Sequence, residues 1–373
     1  MAFDQINPAI PPLKFRRDEK ARAKFLTALR RHVFEDLAAV MRRDYFEHVQ
    51  VAEEGPDSIH DRMRSRASFR FYSALRVASQ DLLYHAVRGP VERSHARTPR
   101  RKAAAGSLHL DPALPIPRSV SAVDVHLMPG SYTAEYAADD VTMGAVYDAR
   151  LRISTFGVFG PDLDDIGQSM VRYVRERLPR WLPKRILDLG CTVGHNTLPW
   201  KQAYPSSELH GIDVAAPCLR YAHQRAQALG VEAHFWQMDA TRLAFPDAHF
   251  DLVFSSMFLH EVPKRDIARV LAEAYRVLRP GGVMLHMELP PVSAIPAYDS
   301  FYLDWDGRYN NEPFYRAFRA MDIQAAVVKA GFKVDDYFDA EVPSVNGDSA
   351  DLRPASLGRL SRGLRWYAFG ARK

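Results

Sequence analysis

The sequence predicts an α/β protein in which a doubly wound, mostly parallel sheet follows a largely helical N-terminal region. From residue 185 onward, short apolar runs alternate with stretches of helical periodicity, the pattern of successive βαβ units. Before residue 90, apolar residues recur at three- and four-residue spacing, as on amphipathic helices. The chain has 373 residues, and at about 100–200 residues per domain it has room for both parts.

Residues 14–50 read as helix, with Phe25, Leu29, Val33, Phe34, Leu37, Val40 and Met41 on one face. Gly55-Pro56-Asp57 interrupts the pattern, and 58–88 resumes it behind Ser58 as a cap. The stretch from about 89 to 120 is rich in Pro and Arg without periodicity and reads as a linker. Its Arg100-Arg101-Lys102 run is a solvated loop more naturally than a phosphate contact. VDVHLM and SYTAEY, around Pro129-Gly130, read as two short strands in a cap segment over 121–164. A helix over 164–178 follows, then the strands RILDLG, ELHGIDV, EAHFWQMD, FDLVFSS, GGVMLHMEL, FKVDDYFD and LRWYAFGARK. Helices over 216–229 and 266–278 separate some of them, the first stopped by Gly230. The domains expected are therefore 1–120, 121–164 and 165–373.

Composition narrows the function class. The chain is 47% hydrophobic and 25% charged, an ordinary globular balance. It holds no run of about 18 apolar residues. The first twenty residues carry Asp4 and no apolar segment of the secretory kind. Two cysteines, Cys191 and Cys218, make neither a disulfide framework nor a four-cysteine zinc site. The 14 histidines lack H-E-x-x-H or similar spacing, so no metal site is expected. A cytoplasmic enzyme is the expectation. Residues 1–120 carry 22 Lys and Arg against 14 Asp and Glu, a surplus modest for that length.

The chemistry concentrates at strand ends. Asp188-Leu189-Gly190-Cys191-Thr192-Val193-Gly194 is a strand-to-helix turn whose glycines let backbone N–H groups approach a ligand. A dinucleotide G-x-G-x-x-G would need glycine at Thr192 and His195, so a nicotinamide dehydrogenase is disfavoured. Asp213, 23 residues after Gly190, ends the next strand, where a carboxylate can accept from both hydroxyls of a ribose or cap the following helix. Asp239, before Ala240, can accept an adenine amine or simply order a turn.

These motifs, with Phe250–Ser256, Met257-Phe258-Leu259-His260-Glu261-Val262-Pro263 and Arg279-Pro280-Gly281-Gly282, stand in one order. The chain thereby resembles the class I S-adenosylmethionine-dependent methyltransferases, in particular the ubiquinone/menaquinone C-methyltransferase-like branch, over roughly residues 165–340. The resemblance implies a Rossmann-like seven-stranded sheet and S-adenosyl-L-methionine as cofactor, with S-adenosyl-L-homocysteine as product. It implies that Asp188, Gly190, Cys191 and Gly194 form the cofactor loop. It also implies that Asp213 with Val214 holds the ribose, Asp239 with Ala240 the adenine, and Ser255 the floor below the sulfonium. The family's middle glycine is Thr192 here.

For an acceptor that must lose a proton, His260 and Glu288 are the candidate bases, with Glu261 behind them. The absence of an Asn/Asp-Pro-Pro-aromatic motif after FDLVFSS, and of a cysteine there, disfavours chemistry on nucleic-acid bases. His126 and Tyr132 upstream, and Trp305 and Tyr309 in an aromatic insertion with Asn310 and Glu312, are candidate acceptor-pocket residues. The expected reaction is methyl transfer to O or C of a small aromatic or apolar acceptor. Two alternatives stay open: a nucleic-acid methyltransferase using the basic front, and a cofactor-binding protein without transfer. The helical front serves as a lid, a homodimer contact or a docking face.

Overall fold

In the computed structural model, residues 13–52, 55–95, 106–347 and 364–373 are described. Among these residues, eight strands form one sheet in the order β1-β4-β3-β2-β5-β6-β8-β7. They are β1 (Gly106–His109), β2 (Arg185–Leu189), β3 (Glu208–Asp213), β4 (Ala233–Gln237), β5 (Phe250–Ser256), β6 (Leu278–Glu288), β7 (Tyr337–Pro343) and β8 (Arg365–Arg372). Strands β1 to β6 pair in parallel, whereas β8 lies antiparallel between β6 and β7.

The central strands read as continuous apolar runs because both faces are covered. Alternate residues serve opposite layers. Ile186, Leu252, Phe254 and Leu285 face α7 (Asp165–Arg177), α8 (Leu198–Ala203) and α9 (Ala216–Leu229). Leu187, Leu189, Val253 and Met284 face α10 (Lys264–Val277) and α13 (Ile323–Lys329). Gly230 takes φ 66° and closes α9, the left-handed turn that its lack of a Cβ makes cheap.

The N-terminal helices share this molecule's core. They are α1 (Arg17–His32), continued through a π-helical turn into α2 (Ala38–His48), then α3 (Pro56–Met63) and α4 (Ala67–His95). Leu26, Val87 and Val91 pack with Met143 and Ile153 of α6 (Thr142–Ser154) and with Tyr221 of α9. Phe69 and Tyr72 pack with Phe301, Tyr302 and Trp305 of α11 (Ala297–Tyr309). Two ion pairs tie the same surfaces, Arg42 to Asp299 at 2.6 Å and Arg76 to Asp306 at 2.7 Å.

Two expectations change. The stretch from 89 to 120 is not all linker. Helix α4 runs to His95 across Pro90, and Gly106–His109 forms a strand beside β4, adding an eighth to the seven expected. Arg100-Arg101-Lys102 lies outside the described residues. The segments VDVHLM and SYTAEY form no strands. His126, Leu127 and Ser131 take φ of 58°, 53° and 54°, and Asp124 Oδ1 accepts the Gly130 N–H, so the chain coils instead of extending. A short helix, α5 (Arg118–Ser121), precedes this coil.

Gly370 in β8 lies so close to β6 that an added Cβ would stand 2.1 Å from the Met284 carbonyl oxygen. Gly370→Ala is expected to cost about 1–3 kcal/mol, the range of a small overpacking strain. An unchanged urea midpoint would remove this contact as a constraint on the sheet.

Candidate active site

The order of strands reverses at β2, with β3 on one side and β5 on the other. Carboxyl ends of strands on either side of such a point leave a crevice, and a cavity of about 440 Å³ lies there. Gly190, Asp213, Val214, Asp239 and Ala240 line it, together with Phe258, Glu261 and the segment around Pro115, Ile116 and Val120.

The turn after β2 is shaped by hydrogen bonds to β3. The N–H groups of Gly190 and Cys191 donate to the Ile212 carbonyl at 2.9 Å. Asp213 Oδ2 accepts the Thr192 N–H at 3.0 Å and Oδ1 accepts the Ala215 N–H at 2.9 Å. Thr192, where the family carries glycine, takes φ 47° and still makes this bond. Gly190 takes φ 71°, and a Cβ there would meet the Phe258 ring at 2.3 Å. Both the backbone conformation and the close approach therefore require glycine.

Burial pushes the Asp213 carboxyl up despite its backbone donors. Burial, helped by Asp213, also pushes Asp188 well above the carboxylate range. Asp188 Oδ2 accepts from Thr197 at 2.6 Å, but its buried Oδ1 has no partner among the described residues. An acceptor of this kind suits an ammonium group, and the cavity with Asp213 and Asp239 suits a nucleoside. Those features fit a sulfonium cofactor built from adenosine and an amino acid. Asp239 Oδ1 accepts the Thr241 N–H at 2.8 Å.

Other candidates sit behind the wall. Cys191 Sγ lies against Gly211 within the sheet core. Gly194 turns with φ 78° over Ala222 and Leu198. Ser255 Oγ is bonded to His286 Nδ1 at 2.7 Å, both residues being buried.

A further group of polar side chains gathers beside the cavity. His126 Nε2 lies 3.3 Å from Glu261 Oε1, and its Nδ1 lies 3.2 Å from Glu312 Oε1. His260 Nδ1 is bonded to Glu288 Oε2 at 2.7 Å, and its Nε2 faces Glu312 Oε2 at 3.7 Å. Glu288 Oε1 also accepts the Phe258 N–H at 2.7 Å, and the Tyr132 hydroxyl lies 3.5 Å from Glu261 Oε1. Burial disfavours both imidazolium ions, but the carboxylates outweigh it. Glu312 and Glu261 hold His126 up at about 10, and Glu288 holds His260 up at about 9. At neutral pH neither imidazole is thus a free base. Burial opposes the Glu261 anion, but His126 keeps it below the usual carboxylate range.

Glu261, not His260 or Glu288, reaches the cavity wall. Trp305 packs into the aromatic core between α4 and α11 and also lines a second cavity of about 270 Å³ with Glu312, and Tyr309 meets its ring at a tilt with centres 5.0 Å apart. Phe258 and the Pro115–Val120 stretch are lining that sequence reasoning misses. Phe258 differs from other strand-end aromatics only by its contact with Gly190, and Pro115–Val120 has the composition of a linker.

Asp213→Ala is expected to weaken S-adenosylhomocysteine binding by about 1.5–3 kcal/mol, the loss of a charged acceptor. An unchanged calorimetric Kd would take Asp213 out of the site. His286 gives a pH signature. Burial holds its imidazole down at about 3 in the folded chain, whereas an unfolded histidine titrates near 6.5. The unfolded state therefore takes up the proton first, and stability falls as pH drops from about 6.5 towards 3, by about 2 kcal/mol at pH 5. Urea unfolding of wild type and His286→Gln at pH 8 and pH 5 checks this, since the variant should lose about 2 kcal/mol less.

A family profile described as a methyltransferase domain matches residues 186–282. The demethylmenaquinone methyltransferase of Thermus thermophilus is 41% identical over 109 residues, 29% of this chain and 49% of that protein. The fatty-acid O-methyltransferase of Mycolicibacterium smegmatis is 32% identical over 121 residues, 32% of this chain and 43% of that protein. The chain thus spans less than half the length of these two relatives. Coverage is greater for the ubiquinone/menaquinone biosynthesis C-methyltransferase of Cupriavidus necator, which is 32% identical over 171 residues, 42% of this chain and 70% of that protein. With the strand-end motifs in place around one cavity, the chain belongs to the ubiquinone/menaquinone C-methyltransferase-like branch of the class I S-adenosylmethionine-dependent methyltransferases.

Proposed function

We propose that this chain transfers a methyl group from S-adenosylmethionine to O or C of a small aromatic or otherwise apolar acceptor. The observation that carries the reading is the shared wall. Asp213 and Asp239 line the same cavity as Glu261, which Tyr132 and His126 of the cap hold from behind. Relatives named for quinone and fatty-acid substrates support an organic acceptor of this class.

The cofactor, when bound, supplies a methyl group on a sulfonium that is already a good leaving group. Asp188, Gly190, Asp213 and Asp239 would hold it. The protein's remaining work is alignment and exclusion of water. Pro115, Ile116, Val120, Phe258 and Val262 give the cavity apolar walls. Glu261, kept anionic by His126, would accept a hydrogen bond from an acceptor hydroxyl and hold its oxygen in place.

Release of S-adenosylhomocysteine with phenolic or quinol acceptors, and none with tRNA or DNA, is the expected outcome of an acceptor screen. The reverse result would move the acceptor assignment to the basic N-terminal helices. Glu261→Gln is expected to lower kcat by about 10²–10⁴-fold, the range of a positioned proton-handling group, with S-adenosylhomocysteine affinity unchanged. Equal loss of both would make Glu261 part of cofactor binding instead.

A further inference from the structure

The cluster of His126, Glu261, Glu312 and His260 holds more coordinating atoms than hydrogen bonding uses well. One nitrogen of His126 and one oxygen from each of Glu261 and Glu312 all lie within 4.8 Å of one another. Donors bound at about 2.0–2.2 Å in a tetrahedron stand about 3.3–3.6 Å apart, so shifts of about an ångström close the set. His260 Nε2 stands 3.7 Å from Glu312 Oε2, outside that set.

Protons alone leave a mismatch. Asn310 Nδ2, always a donor, sits 2.6 Å from His126 Nδ1. If Nδ1 accepts from it, the ring turns a lone pair towards Glu312 Oε1 at 3.2 Å. If Nδ1 carries a proton for Glu312, two donors face each other. The Asn310 amide is itself buried, and its Oδ1 has no partner among the described residues. Turned about, it would present that oxygen to Nδ1–H, at the expense of the hydrogen bond its Nδ2 now donates to Glu312. His260 already has this arrangement. Its Nδ1 is held by Glu288 at 2.7 Å, which aims Nε2 at Glu312. A carboxylate or carbonyl fixing one ring nitrogen while the other is left for a ligand is the habit of metal-bound histidines.

We propose that His126, Glu261 and Glu312 bind one first-row divalent transition metal ion, with Asn310 orienting the His126 imidazole and His260 facing the far oxygen of Glu312. An imidazole and two carboxylates suit Zn²⁺, Mn²⁺ or Fe²⁺ better than Ca²⁺. Beside the cavity, the ion would offer an open position to an acceptor oxygen and ease loss of its hydroxyl proton to water. That role rests on the methyl-transfer reading, whereas the site itself does not.

Metal binding is therefore measured on the full chain without cofactor or acceptor. Metal-stripped protein is titrated calorimetrically with Zn²⁺ and with Mn²⁺, with Ca²⁺ as comparison, and Co²⁺ is followed by its visible absorption. The expected result is one equivalent of tight Zn²⁺ or Mn²⁺, and cobalt bands of mixed nitrogen and oxygen coordination. Affinity should drop at least tenfold in His126→Ala and Glu312→Gln. S-adenosylhomocysteine affinity confirms that each variant is folded. No saturable binding by wild type, or no cobalt bands, would overturn the site and leave the cluster a hydrogen-bonded relay. Undiminished binding in folded His126→Ala and Glu312→Gln would equally overturn it. If metal binds but no acceptor turns over, the site stands and the methyl-transfer reading fails.

Discussion

The carboxylate of Asp213 joins the ends of two neighbouring strands, and the crevice takes its form from that junction. One oxygen holds the amide of Thr192 beyond β2, the other the amide of Ala215 ahead of α9. A half-buried anion among backbone donors is expensive to assemble and correspondingly rigid. It lets Thr192 occupy a left-handed conformation where the family carries glycine. Gly190 then sits against the Phe258 ring, which fixes the start of the segment bearing His260 and Glu261. The turn after β2 and the segment after β5 are therefore coupled through one ring and one carboxylate.

The polar cluster beside the cavity is assembled differently. Its members come from the cap (His126, Tyr132), from beyond β5 (His260, Glu261), from the end of β6 (Glu288) and from beyond α11 (Asn310, Glu312). Three carboxylates and two imidazoles in one partly buried group cannot be neutral to position, because each anion depends on a neighbour to offset its lost hydration. The N-terminal helices brace this arrangement from outside through α11, by the Tyr72–Tyr302 hydroxyl contact at 2.5 Å and the Arg76–Asp306 pair. They are thus part of the active-site scaffold.

Much of the sheet was legible because parallel strands buried on both faces leave unmistakable apolar runs, and Gly230 marks its helix end to the residue. Residues set by local strand-end geometry, such as Gly190, Asp213 and Asp239, could be placed on the cavity from spacing alone. The acceptor cluster could not. His126 and Glu312 are separated by 186 positions, and no periodicity reports a contact at that distance. The Trp305 and Tyr309 aromatics are ambiguous for a related reason, since a wall for a ligand and a seam between helices use the same residue types. The coil at 125–131 read as strands because its residues favour them, while Pro129-Gly130 and the Asp124 bond impose a turn.

Strand β1 changes where this protein can be cut. By hydrogen bonding along β4, it covers the sheet edge and delivers the Pro115–Val120 stretch to the cavity mouth. A fragment begun at residue 165, where the recognisable motifs start, would bare that edge, and a naked parallel edge invites pairing with other chains. Any fragment therefore has to keep Gly106–His109 with the sheet, so that edge protection and pocket roof travel together.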